Sequence, residues 1–347
     1  MPAQITRDDG VATVGSAWHG LSVEVENAMT SEEAIRNANL DWHVGTREIY
    51  VHENGSQKLL EKWKSVYRAD TGEDFAVMGK GYTPVQNTDM FKMFDSIVGS
   101  GEAVYHTVGS LFGGRKVWIL AKFNGEVKLD DGDILNKYVL LSNTHDGSGA
   151  LTAGFTPIRV VCWNTLSAAL KGDGKKMYLR HTEGITSRAI DVREYLGLNN
   201  LYYERMMDEC NSLIQKPLTK EQMVELALRV YRNDLSEDLK FSDINGASRA
   251  SIQQTVSMFS SGTGTNGENA YDAFNAFTEF IDHSTPIQGS LDSIVSEDEK
   301  VREKRLEQTW FGKGARTRQQ VFNILSDDNY VEVLKPINES LVADIAV

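Results

Sequence analysis

The sequence predicts an α+β protein, an antiparallel β-hairpin sheet flanked by helices and followed by a mostly helical C-terminal half. Three observations carry this: a two-residue apolar period between Ala103 and Cys162, helical apolar spacing on either side of it, and capping signatures at helix starts. The expected division is an α+β core over residues 1–185 and a helical region over 186–347.

Thr30 and Glu33 have the spacing of a capping box, so Ser31 to Leu40 reads as a short helix. Asn87 can cap a second helix, in which Met90, Phe91, Phe94, Ile97 and Val98 mark the core face. Tyr105 to Phe112 and Arg115 to Phe123 then flank Gly113-Gly114, a pair that tolerates the positive φ of a hairpin turn. On the second of these strands Val117, Ile119, Ala121 and Phe123 share one face, while Lys116, Trp118, Leu120 and Lys122 share the other, which predicts a half-buried sheet. Lys137 to Asn143 and Ala150 to Cys162 form a second pair around the loop Thr144 to Gly149, and Asn164 opens a short helix ending near Lys171.

Beyond Arg188 the pattern is helical nearly to the end. Thr219 and Gln222 form another capping box, with Met223, Leu226, Ala227 and Val230 as the apolar stripe behind it. Ser260 to Gly267 is a loop by composition, and the aromatic helix after it (Tyr271, Phe274, Phe277, Phe280, Ile281) is expected in the core.

Composition narrows the function classes. Cys162 and Cys210 are too few and too far apart for a disulfide framework or a zinc site, which fits a reducing cytoplasm. No stretch is apolar enough to span a membrane, and the polar first ten residues do not read as a signal peptide. The formal net charge is −13, yet Lys171 to Arg188 holds five basic against two acidic residues, and Lys300 to Gln320 seven against two. Two basic islands on an acidic body can focus a local positive field.

The order of Ser16 to Leu21, Tyr82 to Asn87, Gly109 to Leu111 with Gly113 to Trp118, Thr144 to Ser148, Arg159 to Leu166 and Phe311 to Ala315 resembles the phage/plasmid-like protein family, domain of unknown function 932. That resemblance implies a bacteriophage, prophage or conjugative-plasmid context, and so the cytoplasm of a bacterial host cell, and carries no catalytic residues with it. The order of helix, hairpins and short helix is also similar, in architecture alone, to phage single-strand annealing proteins of the Red-beta and Erf class.

Four motifs invite chemistry. Gly109 to Lys116 has phosphate-loop glycines but lacks the Gly-Lys-Ser/Thr ending and sits in a hairpin, so it reads as a turn. His145-Asp146, with His106, His181 and Cys162 as companions, is where a metal-assisted hydrolase or nuclease would keep its base, whereas an Asp-Gly turn explains the same residues more simply. Cys162, among Val160, Val161 and Trp163, reads as an inert buried thiol. Trp310 to Arg318 interleaves aromatics with cations and glycines, the combination that single strands require: rings stack on any base and cations neutralise phosphates.

The expected function is therefore non-enzymatic binding of single-stranded DNA, with strand annealing and homo-oligomers, and with no metal, cofactor or membrane. Lys313, Arg316, Arg318, Lys175, Lys176, Arg180 and Arg159 are the expected phosphate contacts, and Trp310 and Tyr178 the expected stacking rings. The alternatives are the hydrolase and a phage protein that binds host proteins.

Overall fold

The computed structural model describes residues 11–14, 23–25, 29–98, 101–159, 177–185, 194–195, 197, 199–232, 235–285, 307–309 and 312–346. Trp310, Lys175, Lys176, Cys162 and the helix expected after Asn164 lie outside the described residues. The fold is α+β with antiparallel sheets and a mostly helical C-terminal half.

Strand β1 (Val11–Val14) and β2 (Val23–Val25) precede α1 (Ser31–Asn37), which starts at the expected capping box. Thr30 N–H donates to Glu33 Oε2 at 2.8 Å and Glu33 N–H to Thr30 Oγ1 at 3.3 Å, so two end donors are satisfied reciprocally. The helix stops three residues short of Leu40, where Asn39 turns the chain with φ of 49°.

Three strands that the period did not announce follow: β3 (Val44–Glu53), β4 (Ser56–Arg68) and β5 (Asp74–Gly79), a separate antiparallel sheet in that order. Its register jumps from Glu48 opposite Lys64 to Tyr50 opposite Leu59, a wide bulge that breaks the alternation a sequence pattern depends on.

Helix α2 (Asn87–Val98) buries Met90, Phe91 and Phe94 as its spacing requires, and Tyr105 anchors to it by donating its hydroxyl hydrogen between Phe91 O (3.1 Å) and Asp95 Oδ1 (2.8 Å). The larger sheet then takes β6 (Ala103–Leu111), β7 (Lys116–Lys128), β8 (Ile134–Thr144), β9 (Leu151–Arg159) and β10 (Met177–Leu179), in the order β10-β9-β8-β7-β6-β1-β2. The hairpin turn is four residues, 112–115, with positive φ at Phe112, Gly113 and Gly114. A Cβ on Gly114 would sit 2.6 Å from Trp42 Cζ2, so glycine is required there twice over. The expectation of a half-buried β7 is corrected: Trp118 and Leu120, assigned to the open face, are buried along with Val117, Ile119 and Ala121. β7 lies between β6 and β8 well inside a seven-stranded sheet, where both faces are covered.

The helical half holds α3 (Asn199–Ile214), α4 (Lys220–Tyr231), α5 (Gly246–Ser261), α6 (Ala270–Glu279), a π turn (Phe280–Ser284), α7 (Lys313–Leu325), α8 (Tyr330–Val333) and α9 (Glu339–Ala346). The Thr219/Gln222 capping box opens α4. The aromatic helix α6 is buried all round, with Tyr271, Phe274 and Phe277 fully enclosed, so that stripe is core.

The chain forms two units, each discontinuous in sequence: residues 1–124, 138–155 and 174–200 in one, and residues 125–137, 156–173 and 201–347 in the other.

Candidate functional site

The His145 loop is built for structure. Asn87 Nδ2 donates to Leu40 O (3.1 Å) and Trp42 O (3.4 Å), which leaves its Oδ1 to accept from His145 Nε2 at 3.0 Å. Asn87 thus ties the loop down and leaves its own helix uncapped by its side chain. His145 Nδ1, then without a proton, accepts from Asn143 Nδ2 at 3.4 Å, and Asn143 Oδ1 accepts from His181 Nε2 at 2.6 Å. Every donor in this chain meets an acceptor in one direction only, and the wiring needs the His145 imidazole neutral, since its Nδ1 must accept. His145 has no exposed surface; it stacks on Phe75 at 5.8 Å and meets the edge of Trp42 at 5.5 Å. Burial first, and then the neighbouring His181, push its pKa down to about 3, and burial pushes His181 to about 4.

A general base must reach a proton on its substrate, and His145 has both ring nitrogens engaged inside the protein. Asp146 accepts from Ser148 N–H at 2.9 Å, the Asp-Gly turn of the simpler reading. His106 is a β6 residue beside Thr107 (2.8 Å), and burial lowers its pKa to about 4. Among the described residues no cluster of three His, Cys, Asp or Glu side chains could hold a metal ion.

The late basic stretch divides. Arg318 is fully buried, pairing with Asp282 at 2.6 Å and donating to Thr309 O. The expectation of an Arg318 phosphate contact is therefore corrected: two residues beyond the exposed Arg316, it lies on the opposite side of α7 and points inward, where a charge persists only when paired. Lys313 and Arg316 are exposed on the first turn of α7. In the other island, Tyr178 is 65% exposed on β10 and Arg180 is exposed just after it, while Arg159 is the last residue of β9.

A further constellation sits on the sheet the sequence pattern missed. Trp63 on β4 is 50% exposed, next to exposed Lys62 and half-buried Lys64, and Lys80 N–H donates to Lys62 O at 3.0 Å, which sets the exposed Lys80 alongside. Across the strands Trp63 pairs with Gly79, and Ser65 pairs with both Val77 and Arg47, so these residues share one face. Arg47 lies over the Tyr67 ring there, 4.7 Å from its centroid, and Val77 is 59% exposed. The opposite face is the covered one, with Val44, Val66 and Arg68 buried. Four of the eight exposed large apolar side chains among the described residues (Tyr50, Val51, Trp63, Val77) belong to this three-stranded sheet, a concentration the spread of such residues over a surface does not explain. Thr83 N–H donates to His181 O at 3.0 Å and Tyr82 stacks on His181 at 4.9 Å, so the segment leaving β5 runs beside the end of β10. Lys62 and Lys64 flank Trp63 in sequence, but on β4 they take the opposite face, together with Lys80.

The model of a domain of unknown function (DUF932) matches residues 74–320. The chain belongs to the DUF932 family. No curated protein and no solved structure matches this DUF932 chain significantly. The matched span holds the His145 network, Lys313, Arg316 and Arg318, whereas Trp63, Lys62 and Lys64 of the DUF932 chain precede it.

Proposed function

We propose that this protein binds single-stranded DNA without performing chemistry on it and, in a phage or plasmid setting, promotes the annealing of complementary strands. The observation that carries this reading is the exposed Trp63 on the open face of the β3–β4–β5 sheet, with the exposed Arg47 and Val77 on the same face. A half-exposed indole costs solubility unless something stacks on it, and a cation on the same face selects an anionic partner with flat groups. Tyr178 and Arg180 repeat the combination on the adjoining segment. The acidic remainder of the chain opposes non-specific attraction to phosphate, so binding is confined to these patches. The enclosure of His145 removes the residue on which a hydrolase reading depends.

The test is fluorescence anisotropy with a labelled oligothymidylate at two salt concentrations. Trp63→Ala is expected to weaken binding by about 1–3 kcal/mol. Arg47→Ala should flatten the logarithmic salt slope by about 0.7, the loss of one neutralised phosphate. Circular dichroism confirms that both variants stay folded. Unchanged affinity and slope in folded variants would overturn this face as the site. Failure of the unaltered protein to bind any oligonucleotide would overturn the function and leave a protein partner as the occupant of the exposed apolar face.

A further inference from the structure

The second unit contains a cavity of about 220 Å³ between α4, α5, the π turn and the start of α7. One wall is apolar: Tyr231, Ala247, Phe280 and Ile281. Tyr231 is held rigid there, its ring stacked on Phe277 at 5.7 Å and its hydroxyl 3.0 Å from Thr255 Oγ1. The other wall supplies donors from the Lys313 ammonium, the Ser248 and Thr317 hydroxyls and the Gln308 amide, while the Ser251 and Thr285 hydroxyls, also in the wall, donate to the backbone oxygens of Ala247 and of Phe280 and Ile281. Among the described residues, no acidic side chain lines the cavity. Nor does Lys313 or Thr317 have a side-chain hydrogen-bond or ion-pair partner among them.

The charge of the α7 start is the wrong one for stability. A helix N-terminus favours acids and a capping side chain, whereas here Gly312 supplies no cap, no acid occupies the first turn, and Lys313 stands at the positive end. Local rules are broken in this way where a site needs the charge. Gly314 also lines the cavity, and a Cβ there would lie 2.6 Å from Ile281 Cγ2 and 2.8 Å from Gln308 O, so only glycine lets the helix start pack this closely against the π turn.

We infer that this cavity binds a phosphomonoester carrying a flat ring, as in a nucleoside monophosphate. A tetrahedral dianion accepts from several directions at once, matching one ammonium, two hydroxyls and an amide, while a planar carboxylate would leave some of them idle. The apolar wall takes the ring. A cavity below the usual range for drug-sized ligands limits the occupant to about one nucleotide. The same chemistry comes from two sources, a free nucleotide or the 5′-phosphate end of a DNA strand. The inference stands apart from the Trp63 reading, since its residues all belong to the second unit.

Titration calorimetry of the full chain decides it, with thymidine monophosphate, thymidine, inorganic phosphate, and 5′-phosphorylated and 5′-hydroxyl oligothymidylate as probes. The nucleotide, the phosphorylated end, or both should bind at least about tenfold more tightly than their unphosphorylated counterparts, and Lys313→Glu should abolish that difference. Glu at a helix start is favourable, so this variant should melt no lower than the parent. Ser251→Phe, which fills the cavity, should have the same effect without changing charge. Oligonucleotide titrations are repeated in Trp63→Ala, so that strand binding at the sheet face and end binding in the cavity are read separately. Preference for the nucleotide alone assigns a free ligand, and preference for the phosphorylated end assigns a strand terminus. Absence of any phosphate-dependent binding, or phosphate-dependent binding that survives both variants, overturns the inference.

Discussion

Three histidines buried without charge make this protein acid-sensitive in a specific window. His145, His181 and His106 have folded pKa values pushed down to about 3, 4 and 4, chiefly by burial, whereas in the unfolded chain each returns to about 6.5. Above about pH 6.5 all three are neutral in both states and cost nothing. As pH falls below that, the unfolded chain takes up protons that the folded chain refuses, so stability drops until the folded pKa values are reached. The slope approaches about 1.4 kcal/mol per pH unit for each histidine. Urea unfolding between pH 6.5 and 5, a range carboxylates scarcely touch, should show this fall, and a folded His181→Gln variant should lose about one proton of it. A flat profile would mean that these rings are not neutral and enclosed. At this scale the sequence was a fair guide to residue type and a poor guide to direction. His145 and Arg318 carry groups that suit catalysis or phosphate binding, and nothing local tells that one is threaded between Asn87 and Asn143 and the other turned onto Asp282.

Elements whose cause is local were legible, and those whose cause is distant were not. The capping boxes at Thr30 and Thr219 and the stripe of α2 follow from spacings of three and four residues, and they stand where those spacings put them. The β3–β4–β5 sheet escaped notice because its wide bulge shifts the alternation partway along and its outer face keeps both rings and charges in water. The turn between β6 and β7 shows how a local signal and a distant one combine. Gly113-Gly114 announces a turn, but only the packing of Trp42 against Gly114 explains why the second glycine admits no Cβ. Gly114→Ala should therefore cost about 1–3 kcal/mol through overpacking, in addition to the strain of its φ of 91°. Chemical denaturation measures it. A neutral result would mean that Trp42 can move aside, and hence that the ring over which Arg68 lies, 4.6 Å from the centroid, is not fixed.

At the scale of the whole molecule, each unit draws on separated stretches of chain, a division that depends on contacts far apart in sequence and leaves no compositional mark. The sheets also keep ends. β3, ten residues long, is an outer strand of the smaller sheet, and its unpaired backbone groups can template another copy. Self-association is what the proposed annealing role requires, and light scattering after size exclusion should find a species heavier than the 38.7 kDa chain at micromolar concentration. A strict monomer, with and without oligonucleotide, would remove annealing by assembly and leave strand binding alone.

The one-way hydrogen-bond chain from His181 through Asn143 and His145 to Asn87 has a consequence for how this sequence can drift. Its four members come from three stretches of chain, and each hands its neighbour the one group that neighbour lacks. A single replacement strands a donor or an acceptor where no water reaches it, while a matched pair of replacements restores the count. The four positions are therefore inherited as one character: tolerated changes at any of them arrive with a partner change at the next, and their energies do not add.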